Sequence, residues 1–582
     1  MKKILILALS LTAIYSCADK KEKTAMKIEE TTTPDKKWWK EAIVYQIYPR
    51  SFQDTDGDGV GDLKGIINRL DYVKSLGVTA VWLNPIYGSP NDDNGYDVSD
   101  YRDIMSDFGT MEDFDIMLTE MHARNLKLIM DIVVNHSSDE HPWFKESRSS
   151  RDNKYRDYYH WWPAEKGKPP YRYSLFDEAG NAWKYDKQTN AYYLHYFSQK
   201  QPDLNWENPE LRQEVYDIMR FWADKGVDGF RLDAFQFAAK DTTFPKFPDG
   251  FEKDFIQYYA MQDGLHDYLK EMNEEVFSNY DIMTVAEGAG RTLQEAHDLV
   301  DADRKEINMA YAFDAVDIPK VDGYKLADFK DMFSKWDSSF AKKGWISIFL
   351  SNHDQARMVN RYASDSIPFR AASAKMLNTF ILSMRGTPYC YFGDELGMTN
   401  NPKLKEIEDY KDIAAVNGYK KAKSEGEDID EYMRNLRFGS RDHGRTPMQW
   451  DASENSGFTT GNPWLPLNPN YTSVNVQHEA GDSDSVLNHF KSMTALRTTN
   501  EILIYGDYDL VQKEHPQIYA YTRTLGNKQM LVLLNFSETD SAIELENLSD
   551  FTRTAINNYS ELNQIENKLT LKPFQAVILE HN

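Results

Sequence analysis

From residue 42 onward, short runs of β-branched and other apolar residues alternate with longer stretches whose apolar positions recur at helical spacing. The runs cover 42–48, 80–84, 126–135, 229–233, 282–287, 307–313, 345–352 and 388–392; amphipathic stretches such as 63–76, 111–124, 210–225 and 371–384 lie between them. This alternation predicts parallel strands joined by helical crossovers, because a parallel neighbour is reached only by a long return connection. Eight such strands are the number that closes an α/β barrel of the (β/α)8 TIM type, with its active site at the C-terminal ends of the strands.

Two segments break the alternation. Residues 137–208, after the third run, are rich in Tyr, Trp, Pro and Asp and lack helical period, which predicts an irregular inserted domain. Residues 400–451, after the eighth run, predict a long loop with some helix. Short alternating runs at 517–522 and 529–535 predict a C-terminal all-β domain, a β-sandwich over 500–582. The barrel is thereby assigned to 38–136 and 209–499.

At the N-terminus, Lys2 and Lys3 precede an apolar run too short to span a bilayer. It closes on Ile14-Tyr15-Ser16-Cys17, which resembles the lipobox of bacterial lipoproteins. That resemblance implies a signal peptide over 1–17, lipidation of Cys17, and export as a periplasmic or cell-surface lipoprotein. Residues 18–37 are polar and charged, as in a solvated tether. Cys390 is the other of the two cysteines, so no intrachain disulfide is expected once Cys17 is lipidated.

The chain carries 67 basic against 92 acidic residues, a net charge of −25. Nucleic acid needs a basic footprint and is therefore excluded as a partner. No later stretch is apolar and long enough to cross a bilayer, so membrane contact is expected through the lipid anchor alone, on a monomer. The 77 aromatic residues, 13 Trp, 35 Tyr and 29 Phe, either fill cores or line a pocket for a ligand with apolar faces.

The informative acids are those that end apolar runs. Asp233 closes the fourth run with Arg231 two residues earlier on the same face, Glu287 closes the fifth, and Asp354 follows the seventh in Asn352-His353-Asp354. Three carboxylates at one barrel mouth need separated pKa values and distinct roles. Paired carboxylates there suit glycoside hydrolysis, in which one attacks or stabilises the sugar carbon and the other protonates the leaving oxygen.

These segments resemble the α-amylase family of retaining glycosidases, glycoside hydrolase family 13, and within it the α-glucosidase and oligo-1,6-glucosidase branch. The motifs are Asp131-Ile132-Val133-Val134-Asn135-His136, 229–234, Glu287, Asn352-His353-Asp354 and Gln201-Pro202-Asp203-Leu204-Asn205. The resemblance implies that Asp233 is the nucleophile, Glu287 the general acid/base and Asp354 the transition-state stabiliser. It implies that Arg231 keeps Asp233 ionised and oriented, and that His136 and His353 bond sugar hydroxyls. A pocket for the non-reducing end is implied by residues 91–96, with Asp93 on hydroxyls and Tyr96 stacked on the ring. Residues 441–450 are similar to its second element, in which an arginine, here assigned to Arg445, pairs with the acid. A pocket closed at one end implies release of single glucose units from an oligosaccharide.

Residues 54–62 place acids at alternate positions with glycine at the turn, like the first half of an EF-hand loop, but Gly65 stands where that motif needs its bidentate Glu. The resemblance implies instead one structural Ca²⁺, or Mg²⁺, held by Asp54, Asp56, Asp58, Asp62 and the carbonyl of Val60. Ala234, after the nucleophile, is small, as in relatives preferring α-1,4 links, so malto-oligosaccharides are expected ahead of isomalto-oligosaccharides. The rival readings are a glucosyl-transferring relative of the trehalose synthase or sucrose isomerase type, and a non-catalytic glycan-binding or transporter-associated homologue.

Overall fold

The computed structural model describes residues 35–581, and within it the eight expected strands form one closed parallel barrel. They are β1 (Val44–Ile47), β2 (Ala80–Leu83), β3 (Lys127–Val133), β4 (Gly229–Asp233), β5 (Met283–Ala286), β6 (Met309–Tyr311), β7 (Ile346–Ile348) and β8 (Thr387–Tyr391). β1 pairs on one side with β2, Val44 opposite Ala80, and on the other with β8, Val44 opposite Tyr389, so the sheet has no edge to protect. Helices cover the outside and side chains fill the inside, which is why the strands read as continuous apolar runs without polar alternation. Several strands stop short of their runs. β3 ends at Val133, and the chain that follows turns so that His136 bridges Asp203, closing the base of the insertion.

Local signals set the helix ends. Thr110 and Asp113 form a capping box at the start of Met111–Ala123. Asn208 caps Pro209–Lys225, whose proline occupies the first turn and which stops at Gly226, φ +105°, a left-handed position suited to glycine. The insertion carries a three-stranded antiparallel sheet, Trp161–Pro163, Ala191–Leu194 and Trp183–Asp186, among its loops. The segment after β8 contains helices Ile413–Glu425, Ile429–Gly439 and Arg441–Gly444.

Beyond the short helix Glu501–Tyr505 lie a five-stranded and a three-stranded antiparallel sheet. Ile518, Leu531 and Leu579 of the larger sheet share a core with Ile543, Leu569 and Leu571 of the smaller. The other face of the larger sheet packs on helix Arg370–Ser383, with Tyr519 against Phe380. Arg523 enters this seam and donates to the carbonyls of Ser383, Leu503 at 2.9 Å and Gly506 at 2.7 Å. From Ser373 to Ser383 that helix is buried all round.

Among the described residues no helix is long and apolar enough to cross a membrane. Cys17, the signal peptide and nearly all of the 18–37 tether lie outside the described residues.

Candidate active site

β3, β4 and β5 carry the central carboxylates to the C-terminal mouth. Asp131 on β3 lies opposite Arg231 on β4 in the parallel register, so both side chains face the barrel axis. Two residues on, Asp233 ends β4, and Glu287 follows β5. The buried guanidinium of Arg231 joins all three acids: Nη1 donates to Asp131 Oδ1 at 2.8 Å and to Asp233 Oδ1, and Nη2 lies 2.6 Å from Glu287 Oε1. Glu287 Oε2 also accepts the Ala234 N–H at 2.8 Å.

One cation among three carboxylates leaves an excess of negative charge in a largely buried site. Burial pushes Asp233 well above the usual carboxylate range; Arg231 opposes, and the charges of Glu287 and Asp131 add to the rise. Asp131 is pushed up to about 6 by burial against the same arginine. Arg231 acts on Asp233 in the expected direction, favouring the carboxylate, and burial works against it. The arginine orients Asp233 and opposes the rise in its pKa, with its contacts divided among three carboxylates.

Asp354 has the opposite environment. Its Oδ2 is 3.0 Å from His353 Nε2, and its Oδ1 is 3.0 Å from both Arg441 Nη1 and Arg445 Nη2. Burial is outweighed by His353, then by Arg441 and Arg445, so its pKa falls well below the usual range. The tautomer of His353 follows from its partners. Gln46 Nε2 can only donate, 2.9 Å from Nδ1, so the imidazole proton sits on Nε2, facing Asp354 and, at 2.7 Å, Tyr96 Oη.

Tyr96 donates to Asp131 Oδ2 at 2.9 Å, linking the two halves of the site. One of its faces stacks on His353, ring centroids 5.3 Å apart at 7°, leaving only the other for a sugar ring. His136 is buried with Nε2 3.2 Å from the Tyr96 carbonyl and 3.1 Å from Gln201 Nε2; burial pushes it down to about 3, so it stays neutral. Asp93 accepts from Gln201 at 3.1 Å through Oδ2, while its buried Oδ1 has no hydrogen-bond partner. An unpartnered buried carboxylate oxygen costs free energy unless a donor such as a sugar hydroxyl meets it. Burial pushes Asp93 up to about 7, with Arg441 and then Arg445 opposing.

The arginine assignment is corrected. Arg441 Nη2 is the guanidinium nitrogen near Asp93, at 3.6 Å; Arg445 turns to Asp354 and donates through Nε to the His353 carbonyl at 2.8 Å. The two arginines stand four residues apart around the helix Arg441–Gly444, and sequence alone gives no way to choose which faces Asp93. Asp131 and Asp412 were also missed as site residues. Asp131 stood in a quoted motif as a strand residue, and its register opposite Arg231 was the available signal; Asp412 lies outside every motif.

In the acidic loop after β1, oxygens of Asp54, Asp56 and Asp58 come within 4.8 Å of one another. Burial, and then, against the Val60 N–H, the charges of Asp56 and Asp54 hold Asp58 above its ordinary value. This donor set fits a hard divalent cation. Asp62 is not part of the cluster: Oδ1 caps the next helix at Gly65 N–H, 2.7 Å, and Oδ2 accepts from Thr55 N–H at 2.7 Å.

A model of the α-amylase catalytic domain matches residues 46–506, and one of the C-terminal domain of the α-amylase SusG matches 518–578. The chain is 50% identical over 558 residues to an oligo-1,6-glucosidase of Parageobacillus thermoglucosidasius, covering 93% of this chain and 98% of that protein. It is 47% identical over 559 residues to an oligo-1,6-glucosidase of Bacillus cereus, covering 94% and 100%. Among solved structures, an isomaltulose synthase mutant from Erwinia rhapontici NX5 in complex with sucrose, its natural substrate, superposes with a TM-score of 0.91 at 42% identity, covering 94% of this chain and 100% of that one.

Proposed function

The chain belongs to the α-amylase family of glycoside hydrolases, and on that premise we propose that it is a retaining, exo-acting α-glucosidase releasing terminal glucose from short α-linked oligosaccharides. The observation that carries this reading is the bridging of Asp233 and Glu287 by two nitrogens of one guanidinium. Two acids gathered on one guanidinium suit the double displacement of retaining enzymes, whose carboxyl groups stand roughly 5–5.5 Å apart. Asp233 attacks the anomeric carbon as Glu287 passes its proton to the departing oxygen. Glu287, now a carboxylate, takes a proton from water, which displaces Asp233 and releases glucose in the α configuration. Asp354, held ionised, and the open oxygen of Asp93 bind hydroxyls of the terminal sugar.

On linkage, the relatives' names favour α-1,6, against the α-1,4 preference expected from Ala234. The backbone offers a second reason for a small residue there. Ala234 sits at φ +45°, a left-handed conformation that strains a β-branched side chain, so its size need not report on the substrate. We therefore place isomalto-oligosaccharides first. Steady-state kinetics should give a higher kcat/KM for isomaltose than for maltose, by tenfold or more; the reverse order restores the α-1,4 reading. On sucrose, an isomer as main product with little free glucose would replace hydrolysis by glucosyl transfer, the reaction class of the sucrose-bound structural neighbour.

We further propose that Asp54, Asp56 and Asp58 hold one structural Ca²⁺ or Mg²⁺. Neutralising three converging carboxylates ties 54–62 to Thr459, whose hydroxyl donates to Asp54. Chelation should lower the thermal unfolding midpoint by several degrees, with recovery on adding Ca²⁺. Protein purified without chelator that contains neither metal by elemental analysis defeats the proposal.

A further inference from the structure

Asp412 precedes helix Ile413–Glu425 in the long segment after β8 and is buried. Its Oδ1 accepts the Ala414 N–H at 3.1 Å, capping that helix, and accepts from Arg441 Nη2; Arg445 Nη1 lies 4.0 Å away. The backbone of Asp412 is itself fixed, since Asp442 Oδ2 accepts the N–H of Lys411 at 2.7 Å and of Asp412 at 3.0 Å. Arg441 is thereby anchored at one nitrogen while Nη1 remains on Asp354. Its flexible stem alone would not select this geometry among three carboxylates. The capped helix also reaches the insertion: Asn417 Nδ2 donates to the Phe176 carbonyl at 2.9 Å, and Arg441 lies over the Phe176 ring at 5.0 Å.

From this geometry we propose that Asp412 is a positioning residue for hydrolysis. It fixes the edge of the Arg441 guanidinium so that Asp354 and Asp93 keep their places around the terminal sugar, and it couples that setting to the docking of the insertion. The inference rests on the functional reading given above. Asp412 touches no substrate; it acts through Arg441.

Asn caps helices as well as Asp, so Asp412→Asn removes the charge and keeps the cap. With 4-nitrophenyl α-glucoside, Asp412→Asn should lower kcat by about tenfold to a hundredfold, the scale of a misplaced catalytic geometry. KM should change by less than threefold and the unfolding midpoint should hold. In an Arg441→Gln background the same substitution should cost less than twofold further, because the partner through which it acts is gone. A kcat within twofold of the parent, or losses that multiply in the double variant, overturns the proposal. The parent's own turnover reports on the functional reading; the ratio of variant to parent reports on Asp412.

Discussion

Replacing Glu287 by Gln is expected to lower kcat on isomaltose by about 10²- to 10⁴-fold, the usual contribution of a positioned acid/base. Gln keeps the size of the side chain and can still accept from Arg231, but it has no proton to give the leaving oxygen. A substrate whose leaving group needs no protonation, such as 2,4-dinitrophenyl α-glucoside, should therefore still form the glucosyl-enzyme at Asp233. Hydrolysis of that intermediate then stalls, since no base remains to deprotonate water. Azide, a nucleophile needing no base, should restore turnover and yield α-glucosyl azide, with one bond broken at Asp233 and one formed to nitrogen. Equal loss on both substrates, with no azide product, would remove Glu287 from this role.

Arg231→Gln should destabilise the protein by about 3–5 kcal/mol at neutral pH, the cost of withdrawing one partner from a buried ion cluster. Asp131, Asp233 and Glu287 would face one another with no cation between them. The pH dependence has a definite sign. Both Asp131 and Asp233 already stand above the ordinary carboxylate pKa in the folded state, and loss of the guanidinium raises them further. Between the unfolded value, about 4, and the raised folded values, the folded state binds more protons than the unfolded one, so stability falls as pH rises. The deficit against the parent should accordingly be larger at pH 8 than at pH 5.5 in urea unfolding. The same deficit at both would show that Arg231 does not hold down the pKa values of Asp131 and Asp233.

The barrel was legible because its strands are buried on both faces and leave uninterrupted apolar runs; even β7, three residues long, lies inside its run. Asp233, Glu287 and Asp354 were legible because each ends or follows such a run. Failure came where the outcome depends on a side chain's choice among partners. Arg441 and Arg445 share one turn of a short helix, and the carboxylates that select between them come from β-α loops far apart in sequence. Asp62 alternates with the other acids of its loop, yet it also stands at the N-cap of Leu63–Ser75, where Gly65 N–H engages its side chain. The competition for Arg231 is hidden in the sequence for a related reason. A local motif shows the arginine two residues away, while Asp131 and Glu287, which compete for that arginine, become visible only through the strand register.

The seam held by Arg523 bears on how such proteins can be recombined. A chain cut after Tyr505 would leave the carbonyl of Ser383 without its guanidinium donor, while Leu503 kept Arg497, and would open one side of helix Arg370–Ser383 to water. Modular exchange of the C-terminal domain among relatives is thus limited to donors that bring an arginine at the equivalent place on their second strand and an apolar face matched to that helix. The C-terminal sheet completes the burial of a helix that belongs to the catalytic region.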